Sequence, residues 1–218
     1  MQLSTSLLKA IEDARYLLSR GYKRESVVRF VGDRYQLSKE ERLLIYRGVY
    51  GDIEALSHKE KLVNASYLQG RTLAVDGFNV MLTVEAAIRG LPLYLCDDGF
   101  IRDLSAVHGR FKITPHSLQA LKLIVKRAKQ HEVSQLIILF DQPVSHSGEL
   151  SAEARELLKA LGVDGEAKTS RHVDVDVSKL GDIAASSDCV VIEKAEKLFN
   201  LAGDIAVNML KRKPIPLK

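Results

Sequence analysis

From Arg71 onward the chain alternates short apolar runs with helix-like stretches, and the apolar runs end on aspartate: "TLAVD", "PLYLCD", "QLIILFD" and, more weakly, "DIAASSD". Such short β-prone runs read as buried strands. Between them lie "NVMLTVEAAIR", "TPHSLQALKLIVKRAKQ" and "SAEARELLKALG". In the second of these, Thr114 is expected to cap the helix, Pro115 suits its first position, and Leu118, Leu121, Val125 and Ala128 form the buried stripe. In the third, Ser151 is the expected cap. Strands alternating with helices are the pattern of an α/β domain with a mainly parallel sheet.

The chain before Arg71 has a different rhythm. Leu7, Leu8, Ile11, Ala14 and Leu18 repeat at helical spacing, "SRGYKRES" interrupts them, and Val27, Val28, Val31 and Tyr35 begin a second apolar face. A third helix is announced by "LSKEERLLIYRGVY", where Ser38 and Glu41 have the spacing of a capping box. The expected organisation is therefore an all-helical domain over residues 1–68 and an α/β domain over residues 69–218, with "KRKPIPLK" as a frayed basic tail. At 218 residues and 46% hydrophobic content the chain can fill real cores.

Lys and Arg number 32 against 28 acids, a net charge of +4, and residues 1–68 hold 12 of the cations against 9 acids. That balance permits a polyanionic partner; a solvated helical face is the simpler account. Two isolated cysteines, Cys96 and Cys189, make no disulfide framework or thiolate metal site and read as small core residues in a reducing compartment. No apolar run approaches the roughly 18 to 20 residues of a membrane span, and the amphipathic start lacks a basic leader region. A cytoplasmic protein without a membrane partner is expected.

In an open parallel sheet the carboxyl ends of the strands share one edge, where ligands bind. Asp76, Asp141 and Asp188 each close an apolar run, so three carboxylates distant in sequence can meet at one rim. Aspartate is also common at strand ends and helix caps. A cluster of carboxylates repels itself unless a pKa rises or a hard cation such as Mg²⁺ or Mn²⁺ joins it, and such a cation activates water and stabilises charge on a phosphoryl group. At the first junction Gly77 allows a sharp turn, and the Asn79 amide can orient a carboxylate or a water.

These motifs carry a resemblance. "LAVDGFNV" is similar to the opening strand of NYN and PIN-like ribonuclease domains, "LIILFD" to a later acid-terminated strand, and "IAASSDCVVI" to their [ST]-x-D strand end. The whole chain resembles an uncharacterised, mainly archaeal family that joins a helical amino-terminal domain, DUF434, to a PIN-like carboxyl-terminal domain. "DARYLLSRGYKRESVVRFVGDRYQLSKEERLLIYRGV" carries the first half; "VDGFNV", "CDDGFIRD" and "FDQPVSHSGEL" carry the second. The resemblance implies a PIN-like three-layer α/β/α domain with a mainly parallel sheet, preceded by a small all-α domain. It implies a metal-dependent ribonuclease, with Asp76, Asp141 and Asp188 holding the metal and attacking water, and Ser187 bonding a phosphate or a metal-bound water. The alternative is the same fold used as a non-catalytic nucleic-acid-binding or protein-interaction module.

PIN-type sites usually carry a further acid on the helix before the last core strand; "RHVDVDVSKLGD" offers Asp174, Asp176 and Asp182, of which Asp174 is preferred. In "CDDGFIRDLSAVHGRFK", Asp98 or Asp103 could join the metal site while Arg102 grips a phosphate, or the stretch, with Asp97, Gly99, Gly109, Arg110 and Lys112, is a surface loop of local ion pairs. Ser145, His146 and Ser147 after Asp141 either line the site or form a polar turn. His108, His131 and His172 match no metal spacing, and neither the P-loop, the dinucleotide fingerprint nor a serine elbow is present. RNA is the expected partner, and the three-helix domain is expected to recruit it, another protein or a second copy of the chain.

Overall fold

The computed structural model describes residues 3–104 and 111–217; His108, Gly109 and Arg110 lie outside them. Helices α1 (Thr5–Ser19), α2 (Arg24–Arg34), α3 (Lys39–Gly48) and α4 (Asp52–Lys61) lead through a 3-10 turn (Ala65–Leu68) to β1 (Thr72–Asp76) and α5 (Gly77–Ile88). The short strands β2 (Tyr94–Leu95) and β3 (Ile101–Arg102) follow, then α6 (Pro115–Gln130), β4 (Gln135–Asp141), α7 (Ser147–Leu161), β5 (Gly165–Ser170), α8 (Val173–Leu180) and β6 (Ile183–Ala185). The last elements are α9 (Cys189–Lys194), α10 (Leu201–Asp204), a π-helical turn (Ile205–Met209) and β7 (Ile215–Pro216). Among the described residues no helix is long and apolar enough to cross a membrane.

Two compact units result, and neither is one continuous segment. The first combines Met1–Glu60 with Pro92–Leu104 and Lys213–Lys218; the second combines Lys61–Leu91 with Ser105–Arg212. A single cut between residues 68 and 69 therefore does not describe the chain.

The first unit packs Leu7, Ile11, Val27, Val31, Leu44, Ile45, Tyr94, Cys96 and Leu217 into one core. Its third helix starts as the sequence suggests, with the Ser38 hydroxyl accepting from Glu41 N–H at 3.2 Å and Glu41 returning a bond to Ser38 N–H at 2.9 Å. A fourth helix, α4, follows Gly51 where three helices were expected. The run "PLYLCD" supplies a two-residue strand: β2 pairs antiparallel with β3 around a turn where Gly99 has φ +86°, and parallel with β7. The basic tail is thus an ordered strand over Ile215–Pro216, because β2 offers it an edge.

The second unit is a parallel four-stranded sheet, ordered β5-β4-β1-β6 and flanked by helices. Leu73, Val75, Leu136, Ile138, Phe140, Ile183 and Ala185 pack with Leu121, Ile124 and Val125 of α6 and Leu150 and Ala154 of α7. Each fully buried Leu, Ile or Phe contributes about 1.5–3 kcal/mol. Helix α6 begins as read, with Thr114 capping and Pro115 in its first turn; its buried face includes Ser117, Ala120 and Ile124, and Leu118 is exposed. Ser151 is no cap: α7 starts four residues earlier, after His146 in a left-handed conformation (φ 64°), and Ser151 is buried within it. Strand β5, "GEAKTS", is polar and lacks the apolar run by which the other strands were recognised.

Candidate functional site

In the parallel sheet the chain steps from β1 outward to β4 and β5, then crosses to β6 on the other side of β1. The connections leaving the carboxyl ends of β1 and β6 consequently diverge, opening the crevice where α/β sheets bind ligands. Asp76 ends β1 at that point and also caps α5, its Oδ1 accepting from Asn79 N–H at 3.2 Å. Its other oxygen accepts from Ser186 Oγ at 2.9 Å. Asn79 Oδ1 accepts from both the backbone N–H of Ser187 (2.8 Å) and its hydroxyl (3.0 Å). Ser186 Oγ in turn accepts from Asp188 N–H at 3.1 Å, and Asp188 caps α9 by accepting from Val190 N–H at 2.9 Å. One hydrogen-bonded strip thus joins the ends of β1 and β6.

Gly77 owes its place to space. Its φ is not positive, but a Cβ there would lie 2.6 Å from the Phe140 ring and 2.8 Å from the Leu139 carbonyl oxygen. The polar "DGFN" junction therefore has a bare backbone against β4 and a carboxylate hydrogen-bonded at both oxygens at the end of β1.

Asp76 is 7% exposed. Burial pushes its carboxyl up to about 7, the bonds from Asn79 and Ser186 oppose this, and the charges of Asp141 and Asp188 add to it. Asp141 is also raised, chiefly by partial burial and then by Asp174 and Asp188. The register pairs Asp76 with Leu139, which sets Asp141 two residues further out along the neighbouring strand. Asp174, in the first turn of α8, bonds Lys194 Nζ at 2.9 Å, and that ammonium holds its carboxyl below the ordinary range. Asp76, Asp141, Asp174 and Asp188 are therefore electrostatic neighbours along one rim.

Other candidates fall elsewhere. Asp176 accepts from Ser170 Oγ at 2.5 Å, and Asp182 sits before β6 at the opposite edge, accepting from Thr72 N–H at 2.8 Å. Ser145 Oγ donates to the Phe111 carbonyl and accepts from Phe111 N–H, both at 2.9 Å, so it clamps backbone. His146 pairs with Glu149, and His131 with Asp204. Asp98 and Arg102 belong to the first unit, buried to 0% and 2% exposure in a two-pronged ion pair of 2.8 and 2.6 Å. His58 Nδ1 stands 3.5 Å from the same carboxylate. The surface-loop reading and the phosphate-grip reading of that stretch are both replaced by a buried structural pair, because "PLYLCD" is no strand of the parallel sheet. Cys96 is buried as expected, but Cys189 is exposed at the start of α9.

Ser186 was not singled out from sequence. The β1–β6 register aligns Val75 with Ala185, so Ser186 is the neighbour of Asp76, a relation visible only once the two strands are paired. Among the described residues no three His, Cys, Asp or Glu side chains are already gathered into a metal cage. The rim's donors are carboxylate, amide and hydroxyl oxygens, the chemistry of a hard cation that retains much of its water.

Two family models match. One, a protein of unknown function termed DUF434, covers residues 6–61, and the other, a domain of unknown function termed DUF5616, covers residues 65–204. The chain belongs to this DUF434–DUF5616 family. It is 38% identical over 210 residues to the uncharacterized protein MJ0935 of Methanocaldococcus jannaschii, a match spanning 95% of this chain and 100% of that protein. The DUF434 match falls on α1–α4, and the DUF5616 match reaches from the 3-10 turn to α10, enclosing every rim carboxylate.

Proposed function

We propose that this DUF434 protein is a metal-dependent ribonuclease that hydrolyses RNA phosphodiester bonds at the rim formed by Asp76, Asp141 and Asp188. The reading rests chiefly on Asp76: a carboxyl buried at the switch point of a parallel sheet, raised to about 7 beside two further carboxylates. Buried carboxylates that repel one another in this way favour a divalent cation, which would hold them ionised and lower the pKa of a bound attacking water. Asn79, Ser186 and Ser187 hold the ends of β1 and β6 together; the resemblance assigns a phosphate oxygen to Ser187, whose hydroxyl would have to turn from Asn79 Oδ1 to bind it. Mg²⁺ or Mn²⁺ held by Asp76, Asp141 and Asp188, with Asp174 nearby, would screen their repulsion and polarise the phosphoryl group. The preference for RNA follows the resemblance to NYN and PIN-like nucleases, and the helical unit is assigned to recruitment of RNA or a protein partner.

The test is cleavage of a mixed pool of labelled structured and single-stranded RNAs in Mn²⁺, Mg²⁺ or EDTA, beside an identically purified Asp76→Asn protein. Metal-dependent cleavage lost in the variant supports the assignment. Equal cleavage by both removes Asp76 from the mechanism, and a protein that neither cleaves nor binds Mn²⁺ by calorimetry is a binding module.

A further inference from the structure

At the sheet edge opposite Asp76, in the same unit, a polar crevice of about 670 Å³ opens beside Tyr67, Arg71, Lys179, Lys194 and Lys197. Four cations line it against two carboxylates, Asp182 and Glu196. Lys194 is paired with Asp174, and Asp182 accepts from Thr72 N–H. Among the described residues Arg71, Lys179 and Lys197 have no carboxylate partner; Arg71 directs Nη1 to the Tyr67 carbonyl at 2.7 Å.

Lysines in the last turns of helices complement the helix dipole, which accounts for part of this charge at Lys179 and Lys194. At α9 that role is already filled, since Lys61 Nζ donates to the carbonyls of Ile192 and Glu193 at 2.7 and 2.8 Å. Lys197 lies beyond the helix and serves no helix end, whereas Arg71 bonds the Tyr67 carbonyl at the end of the 3-10 turn with one of its guanidinium nitrogens. The Arg71 guanidinium lies 4.0 Å from the centroid of the Tyr67 ring, which is 38% exposed. An aromatic platform backed by a cation and flanked by unpaired ammonium groups has the parts of a single-strand site: stacking for a base and positive charge for the backbone.

We propose that this crevice holds a segment of single-stranded RNA, with a base on Tyr67 and its phosphates against Arg71, Lys179 and Lys197. The choice of RNA rests on the nuclease reading above. Helix α9 runs from Asp188 at the carboxylate rim to Lys194 in the crevice, six residues or about 9 Å. A strand seated in the crevice can therefore continue along α9 toward the rim.

The test is fluorescence anisotropy of a labelled oligouridylate of about ten nucleotides against the full chain in EDTA, over a salt series, with UMP as competitor. Lys179→Ala/Lys197→Ala is expected to weaken binding and to lower the salt slope by about 1.4, the share of two phosphate contacts on a single strand. Tyr67→Leu is expected to weaken binding about tenfold at unchanged slope. Variants matching the parent in thermal melting but binding as tightly as it does would overturn the proposal, as would a parent that binds no oligouridylate at low salt. UMP competing as well as the oligomer would also overturn it, marking a mononucleotide pocket. Because EDTA removes catalysis, loss of crevice binding with cleavage still dependent on Asp76 refutes the crevice alone. Crevice binding without any cleavage refutes the nuclease alone.

Discussion

Replacing Asp76 by asparagine should make the protein more stable at pH 8 and change it little at pH 4. The Asp76 carboxyl titrates near 3.8 when unperturbed and is pushed up to about 7 in the fold. A raised pKa means that the folded state favours the proton: the associated stability is complete below the unfolded value and is lost as pH climbs through about 7. A rise of about 3 pH units corresponds to about 4 kcal/mol, all of it withdrawn at pH 8. Asparagine is uncharged, caps helices as well as aspartate and keeps an oxygen for the Asn79 N–H, so it escapes this loss. Urea unfolding of both proteins at pH 4 and pH 8 measures the difference. The variant should gain up to about 4 kcal/mol over the parent at pH 8, and Mg²⁺ at millimolar concentration should raise the parent's midpoint there without moving the variant's. A variant with the same stability relative to the parent at pH 8 as at pH 4 would refute the reasoning, because folding would then not raise the Asp76 carboxyl.

Two further substitutions probe the scaffold. Asp98→Ala should destabilise the first unit by about 3–5 kcal/mol by stranding Arg102, most of it recovered in Asp98→Leu/Arg102→Met, as read by denaturant midpoints. In the parent, the nearby His58 ring and the bonds from Arg102 outweigh burial and hold Asp98 at about 2, so its contribution of about 2 kcal/mol is present above pH 4 and disappears as pH falls through 2. Gly77→Ala should cost about 1–3 kcal/mol, because its methyl would stand 2.6 Å from the Phe140 ring; an unchanged melting temperature would mean that ring and strand give way freely.

The features legible in the sequence were those that local chemistry determines. Thr114 with Pro115 and Ser38 with Glu41 announced their helices because a cap needs only residues three apart. "TLAVD" and "QLIILFD" announced strands because both are buried in the middle of the sheet. Strand β5 was missed because an outer strand carries polar residues, and Ser151 was misplaced because α7 begins at a left-handed His146 that no propensity marks. Asp76 and Asn79 were recognisable from their junction, whereas Ser186 needed the strand pairing, and Asp98 looked like a rim acid only while "PLYLCD" was read as a parallel strand.

Leu217 is 1% exposed in the core of the helical unit, and its carbonyl accepts from Arg15, more than two hundred residues earlier. During synthesis α1 to α4 emerge first, yet the strand that completes their core follows only after Arg212. At about 5–20 residues per second that interval lasts on the order of 10–30 seconds. Until Leu217 arrives the apolar face at Gly48 and Cys96 lacks its cover, so the helical unit is begun before the parallel sheet and finished after it.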